Sequence, residues 1–200
     1  MKIADCHMHS FFSSDSETPT EDMVKRAIEL GLPAICLTDH YDMDYNTGEF
    51  QLDTPKYAEK IRELQEKYRE KIEIRFGVEL GLQLHLKERM EKYVTMWPFD
   101  YIIGSMHVID GKDPYYEDAF PDWTAEELYR AYFRATAENI RSFHHFQTLG
   151  HLDYVVRYGK EKGRDYSYRT FSDEIDAILK ELIRYDIALE INTGGYKAGL

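Results

Sequence analysis

The chain has 200 residues, of which 43% are hydrophobic and 31% charged, so it can bury the core of one ordinary domain and is not expected to be disordered. Its formal net charge of −12 argues against a protein that coats nucleic acid, because neutralising phosphates requires a basic surface. No apolar run approaches the ~20 residues that span a bilayer, and the N-terminus lacks the pattern of a signal peptide. We therefore expect a single cytoplasmic domain over residues 1–200, with no membrane or nucleic-acid partner.

Six short segments are predicted as β-strands because they are apolar or β-branched and are flanked by polar or turn residues. In chain order they are residues 2–7, 34–38, 72–79, 100–105, 148–152 and 187–191. Nearly all are apolar along their whole length, which is typical of parallel strands that are covered on both faces. The two cysteines, Cys6 and Cys36, lie in these stretches and are predicted to be buried free thiols.

Signals for helix starts lie between the predicted strands. Residues 18–21 and 124–127 have the pattern of capping boxes, and Thr54-Pro55 places a proline in a first helical turn. Further helices are predicted over residues 84–94 and from Ser172 onward. Alternating strands and helices indicate an α/β fold with a parallel sheet and right-handed crossovers. A doubly wound sheet and a β/α barrel both satisfy this pattern.

Five of the six predicted strands run into a side chain of a metal-ligand type at their C-terminal ends. In chain order these side chains are His7 and His9, His40, Glu79, His107 and His151. In a β/α barrel the loops at the C-terminal face converge on the axis and carry the active site. An open sheet would instead spread these side chains along an edge. The placement therefore favours a barrel.

The types of ligand narrow the choice of metal and of chemistry. Imidazole and carboxylate without thiolate favour Zn, Mn or Fe, and disfavour Ca or a cysteine-rich structural zinc site. His7 and His9 are two residues apart in an extended segment and project to the same side, while Glu79 could bridge two ions. Neighbouring divalent ions would bind phosphate oxygens, activate a water molecule and stabilise the leaving alkoxide. The pattern thus predicts a metal-dependent phosphoester hydrolase.

A series of motifs runs through essentially the whole chain. It consists of His7-Met8-His9-Ser10, Asp15, Thr38-Asp39-His40, Gly77-Val78-Glu79, Gly104-Ser105-Met106-His107 and Gly150-His151-Leu152-Asp153. The series resembles the PHP (polymerase and histidinol phosphatase) superfamily, and within it the monofunctional histidinol-phosphate phosphatases. This resemblance implies a distorted (β/α)7 barrel with up to three divalent ions, and hydrolysis of L-histidinol phosphate to L-histidinol and phosphate in histidine biosynthesis.

The resemblance also implies roles for individual residues. One ion would be held by His7 and His9 and bridged through Glu79 to a second, which His107 and His151 would complete, while Asp15 and His40 would hold a third. Arg157 would clamp the substrate phosphate, and Glu117, on the loop after His107, would recognise the imidazole or amine of the substrate. The predicted catalytic residues are Glu79, His107 and Arg157.

One departure from the family pattern shapes the expectation for the C-terminus. The family barrel has a further strand whose Asp-x-His completes two metal shells, and no such motif follows Gly195. We expect a shortened form of a longer protein rather than an open barrel, because an open barrel would expose two apolar edges. Two alternatives to histidinol-phosphate hydrolysis are a PHP-type enzyme acting on other small phosphoesters or nucleic acid ends, and a non-catalytic metal-binding module.

Overall fold

The computed structural model describes residues 4–45, 48–116, 118–158, 163 and 166–199, and the chain divides into two compact units. The first unit comprises Met1–Leu80 and Tyr93–Ile103, and the second comprises Gly81–Lys92 and Gly104–Leu200. No helix among the described residues combines the length and the apolar character that a membrane crossing requires. The division does not test the expectation of one domain over residues 1–200, which stays a prediction.

The first unit is built on parallel strands. It contains β1 (Ala34–Leu37), β2 (His40–Tyr41), most of β3 (Glu73–Gly81) and the start of β4 (Tyr101–Ser105). The order is β1-β3-β4, and β2 also pairs with β3. Both β1 and β2 run parallel to β3 in one register, with Ala34 opposite Glu73 and His40 opposite Glu79. The register thus places a histidine directly beside the buried glutamate.

Two helices of the first unit show which local signals determine a helix start. Helix α2 (Thr54–Tyr68) begins as predicted, with the Asp53 side chain accepting a hydrogen bond from the Lys56 backbone N–H at 3.3 Å. Its predicted inner face is buried along its whole length, at Tyr57, Ile61, Leu64 and Tyr68. Helix α1 (Thr20–Glu29) begins two residues after the predicted cap, with Pro19 at the N-cap and no side-chain cap. The capping box expected at residues 18–21 was therefore wrong.

The second unit contains the end of β4, together with β5 (Thr148–Leu149) and β6 (Ala188–Leu189), in the order β4-β5-β6. Strands β5 and β6 are parallel, with Thr148 opposite Ala188. A 3-10 turn at Leu84–Leu86 leads into α3 (Lys87–Met96), most of which belongs to this unit. The other helices of the unit are α4 (Ala125–Ser142), α5 (Tyr154–Arg157), α6 (Ser172–Tyr185) and α7 (Gly194–Ala198). Helix α4 starts with the predicted capping box, in which Thr124 and Glu127 hydrogen-bond reciprocally.

The α/β class with parallel strands is confirmed, while several predicted details were wrong. The predicted strands over residues 148–152 and 187–191 shrink to two residues each, and β2, α5 and α7 were not predicted. In the described part of the predicted first strand, Asp5 forms an isolated parallel bridge with Ile35; residues 1–3 lie outside the described residues. Cys36 is buried as predicted, but Cys6 is partly exposed.

Helices α4 and α6 are joined by a carboxylate between two arginines. Glu174 is 7% exposed and accepts hydrogen bonds from Arg130 Nη1 at 2.9 and 3.0 Å and from Arg134 Nη2 at 2.9 Å. Burial alone would raise the pKa of Glu174, but the arginine hydrogen bonds outweigh it and hold this pKa below its ordinary value of 4.5. The carboxylate therefore stabilises the fold above about pH 4.5, and this contribution is lost as the pH falls through the lower folded-state pKa.

Glu174→Gln is expected to lower the free energy of unfolding at pH 7 by about 1–3 kcal/mol, because it removes the buried negative charge that accepts hydrogen bonds from Arg130, which is partly exposed, and Arg134, which is exposed. Urea unfolding of the variant at pH 7 and at pH 4 measures this loss, which should shrink at the lower pH. Glu138→Gln, on the exposed face of α4, is the matched control and should change stability by less than about 0.5 kcal/mol. Equal stability of the two variants at pH 7 would contradict the assignment.

Candidate active site

Three imidazoles in the first unit surround one oxygen of a buried glutamate. Glu79 lies in β3 with no exposed surface. Its Oε2 atom lies 2.9 Å from His7 Nε2, 2.8 Å from His9 Nε2 and 3.4 Å from His40 Nε2. Of the predicted ligands, the structure thus brings together four, contributed by three separate stretches of chain.

Strand pairing accounts for this convergence. His40 is opposite Glu79 in the β2–β3 register. The segment that carries His7 and His9 is tied to the end of β1, since Thr38 N–H donates to the Met8 carbonyl at 2.9 Å. In this extended segment the two histidines project to the same side, with ring centroids 5.1 Å apart. His40 lies inside a short strand rather than in the loop after β1, and Glu79 is followed by two further residues of β3.

Asp15 adds a second carboxylate to the group. Its Oδ2 atom lies 2.8 Å from His9 Nδ1 and 3.7 Å from His40 Nε2. His9, Asp15 and His40 each offer a ligand atom within 4.8 Å of the others. Asp42, which the sequence did not single out, lies 3.2 Å from His40 Nδ1 and orients that ring. The position of Asp42, two residues after His40, is the only sequence signal that could have indicated it.

The carboxylates alter the protonation of this group. Burial alone would lower the pKa of His9, but the hydrogen bond to Asp15 and the nearby Glu79 carboxylate outweigh it and raise this pKa to about 9. Burial would likewise raise the pKa of Asp15, but the His9 hydrogen bond and the nearby His40 hold it below its ordinary value. A strongly negative field therefore surrounds the imidazoles, as a site for a cation requires.

The arrangement fits a divalent transition metal. His9 Nε2 is buried and close to Glu79 Oε2, yet the two atoms do not have hydrogen-bond geometry. A buried polar atom without a hydrogen bond needs another partner, and a metal ion is one. Tetrahedral zinc, with bonds of about 2.0–2.1 Å, separates its ligand atoms by about 3.3–3.4 Å. The 3.4 Å from Glu79 Oε2 to His40 Nε2 matches this spacing, and the distances to His7 and His9, 2.9 and 2.8 Å, are shorter by about half an ångström. The nitrogen and carboxylate donors suit Zn, Mn or Fe.

The second unit brings together the other two predicted histidine ligands. His107 follows β4 and His151 follows β5, and both are buried. Their ring centroids lie 5.3 Å apart, and Gly150 N–H donates to the Gly104 carbonyl at 3.0 Å, which aligns the two segments. The backbone N–H of His151 donates to Glu190 Oε2 at 2.8 Å, so a side chain from the segment after β6 fixes this residue. Glu190 was not predicted to have a role.

Arg157 lies in α5, six residues after His151, and is 7% exposed. It donates to both carboxylate oxygens of Asp153, at 2.6 and 2.9 Å, and to Asn192 Oδ1 at 3.0 Å. A Cβ atom at Gly194 would lie 2.5 Å from Arg157 Nη1 and 2.8 Å from Asn192 Oδ1, so any other residue there would have to displace these side chains. The i, i+4 spacing of Asp153 and Arg157 could have indicated their pairing from the sequence. Glu117 lies outside the described residues.

Comparisons with known proteins agree with this geometry. The family model described as the PHP domain matches residues 5–194. The histidinol-phosphatase of Lactococcus lactis subsp. lactis (strain IL1403) is 35% identical over 199 residues, which cover 96% of this chain and 72% of that protein. A probable histidinol-phosphatase of Clostridium acetobutylicum is 31% identical over 192 residues, which cover 96% of this chain and 73% of that protein.

A solved structure has the same fold. The crystal structure of histidinol phosphate phosphatase from Lactococcus lactis subsp. lactis Il1403, complexed with zinc, L-histidinol and phosphate, is 35% identical to this chain with a TM-score of 0.91. The match covers 96% of this chain and 73% of that one. The expected metal dependence is thus supported by a zinc-binding relative as well as by the ligand groups. The chain belongs to the PHP domain family.

Proposed function

We propose that this chain is a metal-dependent phosphomonoesterase that hydrolyses L-histidinol phosphate to L-histidinol and phosphate. The observation that carries the proposal is the convergence of three imidazole nitrogens on Glu79 Oε2 within 3.4 Å. Relatives named histidinol-phosphatase, and a homologous structure that holds L-histidinol and phosphate, support this choice of substrate.

The proposed metal ligands in the first unit share nitrogen or carboxylate donors, and all of them except the exposed Asp15 are buried or partly buried. They are His7, His9, Asp15, His40 and Glu79. We propose the same role for His107 and His151 in the second unit. Divalent ions, when bound, supply positive charge to phosphate oxygens, lower the pKa of a water molecule and stabilise the leaving alkoxide. Glu79 would contribute the buried negative charge that balances the cations, and the histidines would set their positions.

Arg157 is proposed to bind the substrate phosphate. Its guanidinium is held by both oxygens of Asp153, which keeps the planar donor group in one orientation while other N–H groups can face an anion.

Glu117 is proposed to recognise the imidazole or amine of the substrate. His107 and Glu79 are proposed as catalytic residues because each is a proposed ligand of a divalent ion.

Release of phosphate from L-histidinol phosphate by the zinc- or manganese-loaded chain tests the proposed function. We expect kcat/KM to exceed that for p-nitrophenyl phosphate and glycerol phosphate by at least about 100-fold, because a site that hydrogen-bonds a polar substrate discriminates strongly against analogues that lack those groups. Equal rates on all three esters would overturn the substrate assignment. Faster release of nucleotides from single-stranded DNA would favour the nucleic-acid alternative instead.

Arg157→Lys is expected to lower kcat/KM for L-histidinol phosphate by about 10–100-fold, mainly through a higher KM. Lysine keeps the charge but loses the planar pair of hydrogen bonds with which arginine can grip both Asp153 and a phosphate. Steady-state kinetics of the variant measures this change. Arg184→Lys, on the exposed side of α6, is the control and should match the wild-type chain. A wild-type KM in Arg157→Lys would contradict the proposed phosphate contact.

We also propose that the enzyme acts in the cytoplasm, in histidine biosynthesis. The reaction makes L-histidinol, which is the amino alcohol corresponding to histidine and therefore needs only oxidation to become the amino acid. A strain that lacks this gene and any other enzyme with the same activity should grow on added L-histidinol but not on minimal medium. Growth of that strain without a supplement would contradict the proposed role.

A further inference from the structure

A buried network of hydrogen bonds joins the two segments that carry His9, Asp15 and His40. At its centre is Asp39, which has no exposed surface. Asp39 Oδ1 accepts from the Ser10 backbone N–H at 2.6 Å, and Asp39 Oδ2 accepts from Ser10 Oγ at 2.9 Å. Ser10 directly follows His9 in the chain. The Asp39 carboxylate thus holds the backbone immediately next to one proposed ligand.

A third hydrogen bond between the same segments runs in the opposite direction. The backbone N–H of His40 donates to Ser13 Oγ at 2.7 Å, and Ser13 is 2% exposed. Thr20 Oγ1 donates to Ser10 Oγ at 3.1 Å and completes the bonding of that hydroxyl from helix α1. Each segment therefore fixes the backbone of the other at, or one residue from, a proposed metal ligand.

We propose that Asp39 is a positioning residue of the metal site, which holds His9 and His40 at the separation that a divalent ion requires. Both oxygens of Asp39 accept from Ser10, and Asp39 is in none of the groups of described residues whose atoms could hold an ion, so its side chain acts through the backbone of its neighbours. Ligand groups that are already in place lose little entropy when the ion binds, so their supports raise metal affinity. The inference rests on the proposed metal site but not on the choice of substrate.

The carboxylate is needed because Ser10 presents two donors. An amide in its place has one acceptor oxygen, so it can accept from only one of the two Ser10 donors, and the Ser10 hydroxyl would have to accept from the NH2 group instead of donating. Asp39→Asn therefore removes the negative charge and reverses one of the two hydrogen bonds, with almost no change in volume. Ser13→Ala removes the reciprocal bond to the His40 backbone and leaves a buried N–H without that acceptor.

The test is the zinc affinity of each variant, measured by competition with a chromophoric chelator, together with the visible absorption spectrum of the Co²⁺-loaded protein. Asp39→Asn is expected to bind zinc about 10–100-fold more weakly, which is typical when a residue that supports metal ligands is changed, and to shift the Co²⁺ bands. Ser13→Ala should act in the same direction. Thr54→Val is the matched control, because it removes a buried 2.8 Å hydrogen bond to Tyr93 in the same unit; it should leave affinity and spectrum unchanged.

The outcomes separate this inference from the proposed function. Failure of the wild-type chain to bind zinc would overturn the metal site and the role of Asp39 with it. In another outcome, the wild-type chain binds zinc, and Asp39→Asn has a zinc affinity within twofold of wild type and an unchanged Co²⁺ spectrum. That result would overturn only the role of Asp39. If Asp39→Asn does not fold, an unchanged affinity in Ser13→Ala would overturn it. Lack of activity on L-histidinol phosphate by a chain that binds zinc would overturn the proposed function and leave the role of Asp39 standing.

Discussion

Replacing Glu79 by glutamine is expected to lower kcat/KM for L-histidinol phosphate by at least about 10²–10³-fold and to reduce the bound metal. Glu79 is fully buried, and its Oε2 atom faces three imidazole nitrogens within 3.4 Å. Glutamine has nearly the same shape but no negative charge, and its NH2 group cannot bind a cation. The substitution thus removes charge from the centre of the proposed site while leaving the packing of β3 intact.

The prediction for Glu79→Gln is tested by measuring phosphate release and, by elemental analysis, metal content on the same preparation. The matched control is Glu73→Gln at the exposed start of the same strand, where the side chain pairs with Arg75 at 2.7 Å. That variant should keep wild-type activity and metal content. Full metal occupancy in Glu79→Gln, with activity within threefold of wild type, would show that Glu79 is not a ligand.

His9→Ala is expected to have the second largest effect, a fall of at least about 100-fold in kcat/KM together with weaker zinc binding. His9 makes the closest contacts with the two carboxylates together, with Nδ1 2.8 Å from Asp15 Oδ2 and Nε2 2.8 Å from Glu79 Oε2, whereas His40 Nε2 lies 3.7 and 3.4 Å from the same two oxygens. Alanine leaves the two carboxylates without the imidazole between them. Their mutual repulsion should spread the site apart as well as remove a ligand.

Zinc titration and steady-state kinetics of His9→Ala test this result. His85→Ala is the control, because His85 is exposed on the 3-10 turn before α3 and was assigned no role in metal binding. It should bind zinc and turn over substrate like the wild-type chain. Equal loss of activity in both variants would mean that histidine removal acts through general stability, and would contradict the assignment of His9.

Those parts of the fold that depend on local sequence could be predicted. Helix α2 follows from Thr54-Pro55 and apolar residues at helical spacing, and α4 follows from the Thr124–Glu127 capping box. Features that depend on distant partners were missed. Strand β2 is two residues long and exists because His40 and Tyr41 pair with β3, and α5 is too short for a periodic signal. At residues 18–21 the chain has the composition of a cap, but Pro19 occupies the N-cap position itself.

In the candidate site, too, some residues could be predicted from the sequence and others could not. The residue types and their order along the chain indicated His7, His9, His40 and Glu79, because few chemistries other than metal binding need imidazoles and carboxylates at successive strand ends. Asp15 was indicated only by the resemblance to the PHP family. The residues that hold these ligands were not indicated. The contacts of Asp39 with Ser10 and of Glu190 with His151 join stretches that are 29 and 39 residues apart, and only strand register brings them together.

The most direct test of the metal centre is anomalous X-ray scattering at the zinc edge from crystals of the zinc-loaded chain. We expect a peak about 2.0–2.2 Å from His9 Nε2 and from a Glu79 carboxylate oxygen. Such a peak would place a cation among the imidazoles that converge on Glu79. A zinc-loaded crystal with no anomalous density between these side chains, or with zinc only at surface histidines such as His85, would contradict a metal-dependent phosphatase built on Glu79.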